Sequence, residues 1–143
     1  MATLSSDTPR VFENTGGHPD VNEIPIIASD IVYAGAAVGE SGSTGTGRPL
    51  VGGDNYMGFA TEKCDNASGA ASAKNIEVLQ SGVAKLTVVG VASAGDYDAT
   101  VYATDDNTFT LTSSGASAIG KVKRWITSTT CMVYFEATSK RSI

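Results

Sequence analysis

The sequence is poor in the side chains on which most metal and nucleophile chemistry depends: one histidine, two cysteines and one tryptophan in 143 residues. These numbers are too low for a zinc cluster or a disulfide framework. Charged residues make up 17% of the chain and hydrophobic residues 41%, a balance that excludes intrinsic disorder. We therefore expect one folded domain that uses no metal and no cofactor.

Two kinds of hydrophobic segment are also missing. No run of about 18 apolar residues occurs, so the sequence predicts no transmembrane helix and no membrane partner. The first residues, Met1 to Phe12, are polar and lack the apolar core of a secretory signal. We therefore expect synthesis in the cytoplasm, with both cysteines reduced.

Positive charge is scarce and unevenly placed. The net charge is −5, and by direct count residues 1–50 sum to −4, residues 51–120 to −5 and residues 121–143 to +4. A nucleic-acid partner is not expected, because such proteins usually present a basic face. The acidic body and basic end instead suggest contact between copies of the chain, or with a partner of mixed charge.

The residues that are plentiful favour strands. Valine (13) and isoleucine (8) far outnumber leucine (5), and glycine (16), alanine (18), threonine (16) and serine (15) make up much of the rest. Side chains branched at Cβ pack well on a pleated sheet and lose freedom in helices. This composition excludes a helical bundle and predicts strands joined by Gly and Ser turns.

The order of segments predicts an all-β fold, a small antiparallel β-barrel or sandwich built as a meander. Residues 1–23 are expected to form an extended N-terminal arm, and residues 24–143 the β-barrel-like domain. One or two strands are predicted within 24–38, a Gly-rich loop at 39–49, a short strand at 56–61 and a loop or capped helical turn, preferably a loop, at 65–73. Six further strands are expected at 76–79, 83–91, 99–103, 108–112, 119–126 and 130–137.

The last two strands form a hairpin if the chain turns at Ser128 and Thr129. Pairing residue 127 with 130 gives a core face with the pairs Ile126–Cys131, Arg124–Val133 and Val122–Phe135. The other face carries Trp125–Met132, Lys123–Tyr134 and Lys121–Glu136. Trp125, Met132 and Tyr134 are large for an outward face, which has two open explanations: a subunit interface, or cover by a loop or the arm of the same chain.

Several motifs are better explained by local structure than by chemistry. The loop at 42–49 lacks the Lys and the following helix of a phosphate-binding loop. His18, between Gly17 and Pro19, is interpreted as a solvated turn residue. The acidic residues Asp96, Asp98, Asp105 and Asp106 miss the spacing of a calcium loop and fit turn formers.

The remaining polar motifs add no catalytic pattern. Spacing alone leaves a pair of catalytic carboxylates open, with Asp96 and Asp98 the residues to test, but nothing in the sequence favours one. We expect the protein not to be an enzyme. The glycosylation motif at Asn66 is discounted, Cys131 is interpreted as a buried hydrophobic residue, and Cys64 as a free thiol.

One set of segments, spread over roughly residues 24–137, resembles the capsid decoration (cement) proteins of tailed bacteriophages. The match consists of Gly, Val and turn residues: Gly58-Phe59-Ala60, Ile76-Glu77-Val78, Gly82 to Val88, Gly95-Asp96, Val101 to Thr110, Gly115, Ile119-Gly120-Lys121-Val122 and Val133 to Phe135. The sequence departs from that pattern in a longer spacing at Tyr97 to Thr100, and its arm, residues 1–23, has no counterpart.

The resemblance implies a homotrimer on the outer surface of an icosahedral phage head, bound to the major capsid protein and reinforcing the shell. From it we expect Trp125, Met132 and Tyr134 at the subunit interface, and Arg10, Val11 and Phe12 at the shell. A trimeric glycan- or receptor-binding β module of a virion is the alternative. Such modules usually present exposed aromatic residues with polar partners, whereas aromatic residues here are few and scattered along the sequence.

Overall fold

The computed structural model describes residues 4–13 and 20–141, so the prediction for His18 lies outside the described residues. Within these ranges the chain is nearly all strand, with short 3-10 turns at Ala94–Asp96 and Thr138–Lys140. The strands are β1 (Phe12–Glu13), β2 (Asp20–Pro25), β3 (Asp30–Val32), β4 (Ala37–Glu40), β5 (Gly47–Pro49), β6 (Tyr56–Ala60), β7 (Cys64–Asn66), β8 (Asn75–Val89), β9 (Thr100–Ala103), β10 (Phe109–Thr110), β11 (Ser117–Thr127) and β12 (Thr130–Glu136). The predicted all-β class is confirmed.

Five strands close a barrel. The pairings run from β8 to β12, β11, β9 and β10, and then back to β8. Four of these pairings are antiparallel, whereas the closing pair, β10 with β8, is parallel. The barrel is therefore not a simple meander, because β10 pairs with β8 and β9 rather than with its successor in the chain.

Strand β8 organises the rest of the molecule. It merges two predicted strands, 76–79 and 83–91, into one that runs from Asn75 to Val89. Its first half pairs with β2 and β6, and β6 continues the sheet through β4 to β5. Strands β3 and β7 form a separate two-stranded sheet, so the region predicted as a loop at 65–73 begins inside a strand.

Two clusters of buried side chains hold the fold together. The first fills the barrel and includes Phe59, Phe109, Ile119 and Phe135, whose rings and branched chains are at most 2% exposed. The second lies under β2, β4 and the two-stranded sheet, and contains Leu4, Ile24, Ile26, Val32, Val38, Ile76 and Val78. Burial of these apolar surfaces is the main favourable contribution to folding.

The described part of the predicted arm packs on the body. Leu4 is buried in the second cluster, and the Thr8 amide donates a hydrogen bond of 2.8 Å to the carbonyl of Ala34. Phe12 and Glu13 then pair with Ala84 and Val83 of β8. Strand β2 begins at Asp20, before the boundary predicted at residues 23 and 24.

The predicted hairpin register is confirmed only next to its turn, where Thr127 pairs with Thr130. Two register shifts follow, one between Trp125 and Thr127 and one between Val122 and Arg124. The structure therefore pairs Trp125–Cys131, Arg124–Met132, Val122–Val133, Lys121–Tyr134 and Gly120–Phe135, and the six pairs predicted above are wrong. Each bulge adds a residue to one strand, which alternation of residue types does not reveal.

Candidate functional site

An open groove of about 770 Å³ crosses the surface where β1, β8, β11 and β12 meet. We call it the aromatic groove. Its lining residues are Phe12, Glu13, Asp20, Leu79, Ser81, Gly82, Val83, Tyr97, Asp98, Thr100, Ala118 to Val122, Tyr134 to Glu136 and Arg141. A concave, largely apolar surface with a few polar groups is typical of binding sites.

Three aromatic side chains of the groove are exposed. Tyr97 is 70% exposed, Tyr134 51% and Phe12 39%. The Phe12 ring packs in tilted contacts against Phe135 and Phe59, at centroid distances of 5.9 and 6.4 Å. These aromatic residues are scattered along the sequence, but the fold brings them to one groove. Aromatic side chains are also enriched at the centres of many protein interfaces.

The groove has room for a partner because small residues form part of it. Gly120 on β11 and Gly82 on β8 both pair with Phe135 on β12. Of these three neighbouring residues, only Phe135 has a side chain. A Cβ atom on Gly120 would lie 1.7 Å from the carbonyl oxygen of Tyr134. The close approach of β11 to β12 therefore depends on glycine at this position.

Charged groups around the groove are paired within the chain. Glu13 contacts Lys123, and its Oε2 atom accepts a hydrogen bond of 2.7 Å from Arg124. These hydrogen bonds, Arg124 first and then Lys123, lower the pKa of Glu13 to about 2.

Two more acidic residues of the groove have basic partners. Asp98 is 3.6 Å from Lys121, and Asp20 pairs with Lys140. The basic end of the sequence is therefore used largely inside its own subunit, where it holds acidic residues of β1 and β2. Glu136 and Arg141 also line the groove and take part in no ion pair among the described residues; Arg141 donates to the backbone carbonyls of Ala118 and Glu136.

Arg10, predicted at the shell, points into its own subunit. Its Nε atom donates a hydrogen bond of 2.7 Å to the carbonyl of Gly35, and its guanidinium lies 5.2 Å from the Phe109 ring centre. Burial lowers its pKa, an effect that nearby Tyr56 and the fully buried Asp106 oppose. Of the three predicted shell residues, Val11 is the most exposed at 63%, and the role of Val11 and Phe12 stays a prediction.

The structure separates the three residues predicted at the subunit interface. Tyr134 lies in the groove, and Lys123 sits over its ring at 5.5 Å from the centre. Trp125 is half-buried near the hairpin turn, where its Nε1 atom donates to the carbonyl of Ser128 at 2.9 Å. Met132 is 5% exposed, so its predicted place on the outward face is wrong, and Ile126, predicted on the core face, is 37% exposed. The role of Trp125, Met132 and Tyr134 between subunits stays a prediction.

The acidic turn residues behave mostly as predicted. Asp96 accepts hydrogen bonds from the Ala92 and Ser93 amides and completes a capping box with Ser93. Asp105 accepts from the Asn107 amide and the Thr108 hydroxyl. Asp106 is the exception, since it is buried beside Arg10.

The remaining motifs have structural roles. In the predicted Gly-rich loop, β4 and β5 form a hairpin in which the Gly45 amide donates to Glu40. Asn66 is 1% exposed and its amide donates to two backbone carbonyls, those of Ile27 and Ala70, a geometry that leaves no room for a glycan. Cys131 is buried as predicted, and Cys64 is buried too.

Sequence reasoning missed Tyr97 and the groove itself. Tyr97 follows the Asp96 turn, and its neighbour Asp98 adopts a positive φ of 71°. The signal that could have pointed to this segment is the lengthened spacing at Tyr97 to Thr100 within the family resemblance. No local pattern, however, connects Phe12, Tyr97 and Tyr134, which come from three distant parts of the chain.

Within residues 4–13 and 20–141, no group of three or more His, Cys, Asp or Glu side chains is placed to hold a metal ion. No helix in these ranges has the length and apolar character needed to cross a membrane. A comparison of the chain with protein-family models finds no match, and neither does a comparison with curated proteins.

Proposed function

We propose that the protein is a structural subunit of a phage virion, which binds as a homotrimer to the outer surface of the icosahedral head and stabilises it. It is made in the host cytoplasm and acts by adhesion to the major capsid protein, without catalysing a reaction. The observation that carries the proposal is the aromatic groove, an adhesive surface on a rigid barrel. Exposed aromatic anchors on a firm scaffold are what stable protein contacts use.

The segments that resemble decoration proteins lie mostly in the barrel, and this supports the same function. Most of these segments lie on strands of the barrel: 82–88 on β8, 119–122 on β11 and 133–135 on β12. Gly58-Phe59-Ala60 lies on β6, which supplies Phe59 to the barrel core. The resemblance therefore falls mainly on the strands of the barrel and on β6, which supplies a side chain to the barrel core.

Trimer formation gives the physical reason why such a subunit can hold a shell. Each subunit needs only a modest contact with the major capsid protein, since three contacts joined in one assembly act together. Once one contact has formed, the others bind at a high effective concentration. A cement protein therefore needs repeated surface rather than a reactive centre.

The deciding experiment mixes the purified full-length chain with undecorated, expanded heads of the same phage and images them by electron cryomicroscopy. We expect threefold density at threefold or quasi-threefold positions. Decorated heads should also withstand heating or chelation longer than bare heads. Absence of added density at saturating protein would refute the proposed function.

A single substitution tests the shell contact of Val11, the residue that precedes β1. Val11→Asp changes an exposed side chain and leaves Arg10 and Phe12 in place, whereas deleting residues 1–22 would also remove packing from the body. We expect Val11→Asp to lower occupancy on heads about tenfold or more while the trimer persists. Thr87→Asp, exposed on β8, is the control. Full occupancy with Val11→Asp would refute this contact.

A further inference from the structure

The first strand fills a place in the barrel wall that no other described strand takes. On β8, Ala84 pairs with Val133 of β12 and also with Phe12 of β1, so β1 and β12 lie on opposite edges of β8. The Lys85 amide extends the contact by donating 2.9 Å to the Val11 carbonyl. We call this edge of β8, at residues 83–85, the strand slot.

The side chains at positions 10 and 12 enter the slot from the segment of residues 8–13. The Arg10 guanidinium lies 5.5 and 5.2 Å from two ring centres, and the Phe12 ring lies 6.4 and 5.9 Å from two ring centres. The rings that receive them belong to three phenylalanines of the barrel core, Phe59, Phe109 and Phe135. The slot therefore has an aromatic floor that accepts alternate side chains of an extended segment.

Polar groups of the body match the same segment. The Gly35 carbonyl accepts a hydrogen bond of 2.7 Å from Nε of Arg10, and the Asn107 side chain accepts one of 2.8 Å from its guanidinium. The Thr8 amide donates 2.8 Å to the Ala34 carbonyl. Main-chain and side-chain contacts together thus recognise both the extended backbone and the arginine.

The barrel closes without this segment. Its five pairings join β8, β12, β11, β9 and β10, and none of them involves residues 4–13. Strand β1 itself is two residues long, and Val11 beside it is 63% exposed. Short, exposed elements with few backbone hydrogen bonds open locally more readily than the strands of a core. The segment and the slot therefore meet as a ligand and its site within one chain.

We propose that the strand slot is a binding site for an extended peptide with arginine and phenylalanine two positions apart, and that residues 8–13 of the same chain occupy it reversibly. A strand that adds to a sheet edge gains affinity from main-chain hydrogen bonds and specificity from alternate side chains. The slot offers both. This inference concerns contacts within one subunit and does not depend on head decoration.

A peptide added to a full-length variant tests the site. The double variant Arg10→Ala/Phe12→Ala removes both inward side chains from the tethered segment and leaves the slot unchanged. The probe is a fluorescein-labelled synthetic peptide of residues 4–13, and its binding is measured by fluorescence anisotropy. The control is the same peptide with alanine at both positions. Circular dichroism checks that the variant is folded, and Phe12→Ala alone serves for the same comparison if the double variant is not.

We expect the peptide to bind the variant at least about tenfold more tightly than it binds wild type, where the tethered segment competes at a high effective concentration. The control peptide should bind at least about tenfold more weakly than the native one. Binding should also raise the midpoint of thermal unfolding of the variant.

Hydrogen exchange of the Lys85 amide reports on the slot directly, because this amide donates to the segment. In wild type it should exchange at least about tenfold faster than the amides that join β8 to β12, since only the segment has to open. In the variant it should exchange faster still, and added peptide should slow it.

Three results would overturn the proposal. A folded variant that binds the peptide no better than wild type does would show that the slot is not a binding site. Equal binding of the native and control peptides would show that the slot does not recognise Arg10 and Phe12. Exchange of the Lys85 amide in wild type as slow as that of the amides between β8 and β12 would show that the segment does not leave the slot separately from unfolding.

Discussion

Glu13 and Arg124, 111 positions apart in the sequence, form an ion pair that ties the first strand to the last hairpin. The Glu13 carboxylate accepts hydrogen bonds from two nitrogens of the Arg124 guanidinium, at 2.7 and 3.1 Å. Lys123 contacts the same carboxylate and also covers the Tyr134 ring. The pair therefore fixes β1 beside the groove and helps to hold one of the aromatic residues in place.

The first prediction concerns the pH dependence of this pair. Because the folded-state pKa of Glu13 is lowered from 4.5 to about 2, its stabilising effect is present above about pH 4.5 and is lost as the pH falls through 2. Glu13→Gln should therefore be less stable than wild type near neutral pH. The difference should shrink between pH 4.5 and 2.

Urea unfolding at a series of pH values and low ionic strength measures this difference, because an ionic denaturant would screen the pair. Glu23→Gln, on an exposed position of β2, is the control and should track wild type more closely. A gap between Glu13→Gln and wild type that is constant down to pH 2 would contradict the assignment of the ion pair.

The second prediction concerns Arg10, which is held by the Gly35 carbonyl and the Asn107 side chain between two aromatic rings. Arg10→Met keeps the apolar stem but leaves the buried Asp106 without this cation. We expect a loss of about 2–4 kcal/mol in the free energy of unfolding. Lys85→Met, on an exposed position of β8, should change it by less than about 0.5 kcal/mol. Equal losses in the two variants would contradict a specific role for Arg10.

The third prediction compares a shielded ion pair with an open one. Asp54, whose side chain is 7% exposed, accepts two hydrogen bonds from Arg48 and one from the Val51 amide. Asp54→Asn should cost about 1–3 kcal/mol in the free energy of unfolding. Asp98→Asn removes an exposed pair with Lys121 and should cost less than about 1 kcal/mol. Thermal unfolding of both variants checks the order, and the reverse order would refute it.

The fourth prediction concerns the glycine beneath the groove. Gly120→Ala places a Cβ against the backbone of Tyr134, so β11 and β12 must move apart, at a cost of about 1–3 kcal/mol. Gly95→Ala is the control, because a Cβ atom added to Gly95 would lie 3.5 Å from its nearest neighbour, the Ser93 hydroxyl. Denaturant unfolding of each variant gives the two values. A Gly120→Ala variant as stable as Gly95→Ala would show that the two strands are not in close contact.

The fifth prediction concerns the thiols. Cys64 and Cys131 are both buried and free, and burial raises the pKa of both, that of Cys131 to about 11. Since the thiolate is the reactive form, neither should react with a thiol reagent in the folded protein within minutes. Two thiols per chain should react after denaturation. Rapid labelling of the native protein would contradict the burial.

The sequence was enough to predict most of the barrel strands, but it missed β1, β5 and β7 and did not show how some strands pair. Alternation and spacing located β6, β9, β11 and β12 to within a few residues, because strand formation follows local patterns of branched and polar side chains. The bulges at Val122 to Arg124 and Trp125 to Thr127 were missed, since a bulge depends on how two strands fit together. The parallel closure of β10 on β8 is a long-range pairing with no local pattern.

The candidate site was predictable only in fragments. Tyr134 was identified from its place on an outward position of β12, and its exposure agrees with that. Arg10 was taken for a surface cation, since no sequence pattern shows that two phenylalanines from distant strands enclose it. A groove built from residues 12, 97 and 134 exists only after the fold has brought those positions together.

In the barrel, β12 lies between β8 and β11. The barrel therefore cannot close during synthesis before β12 has been made. The ring of strands stays incomplete until residue 136 has left the ribosome, since β12 supplies two of its five pairings. A nascent chain that ends before this strand leaves the β8 and β11 edges without their native partner. The closed subunit therefore forms only once β12 is available, and a fragment that lacks β12 exposes strand edges that favour aggregation.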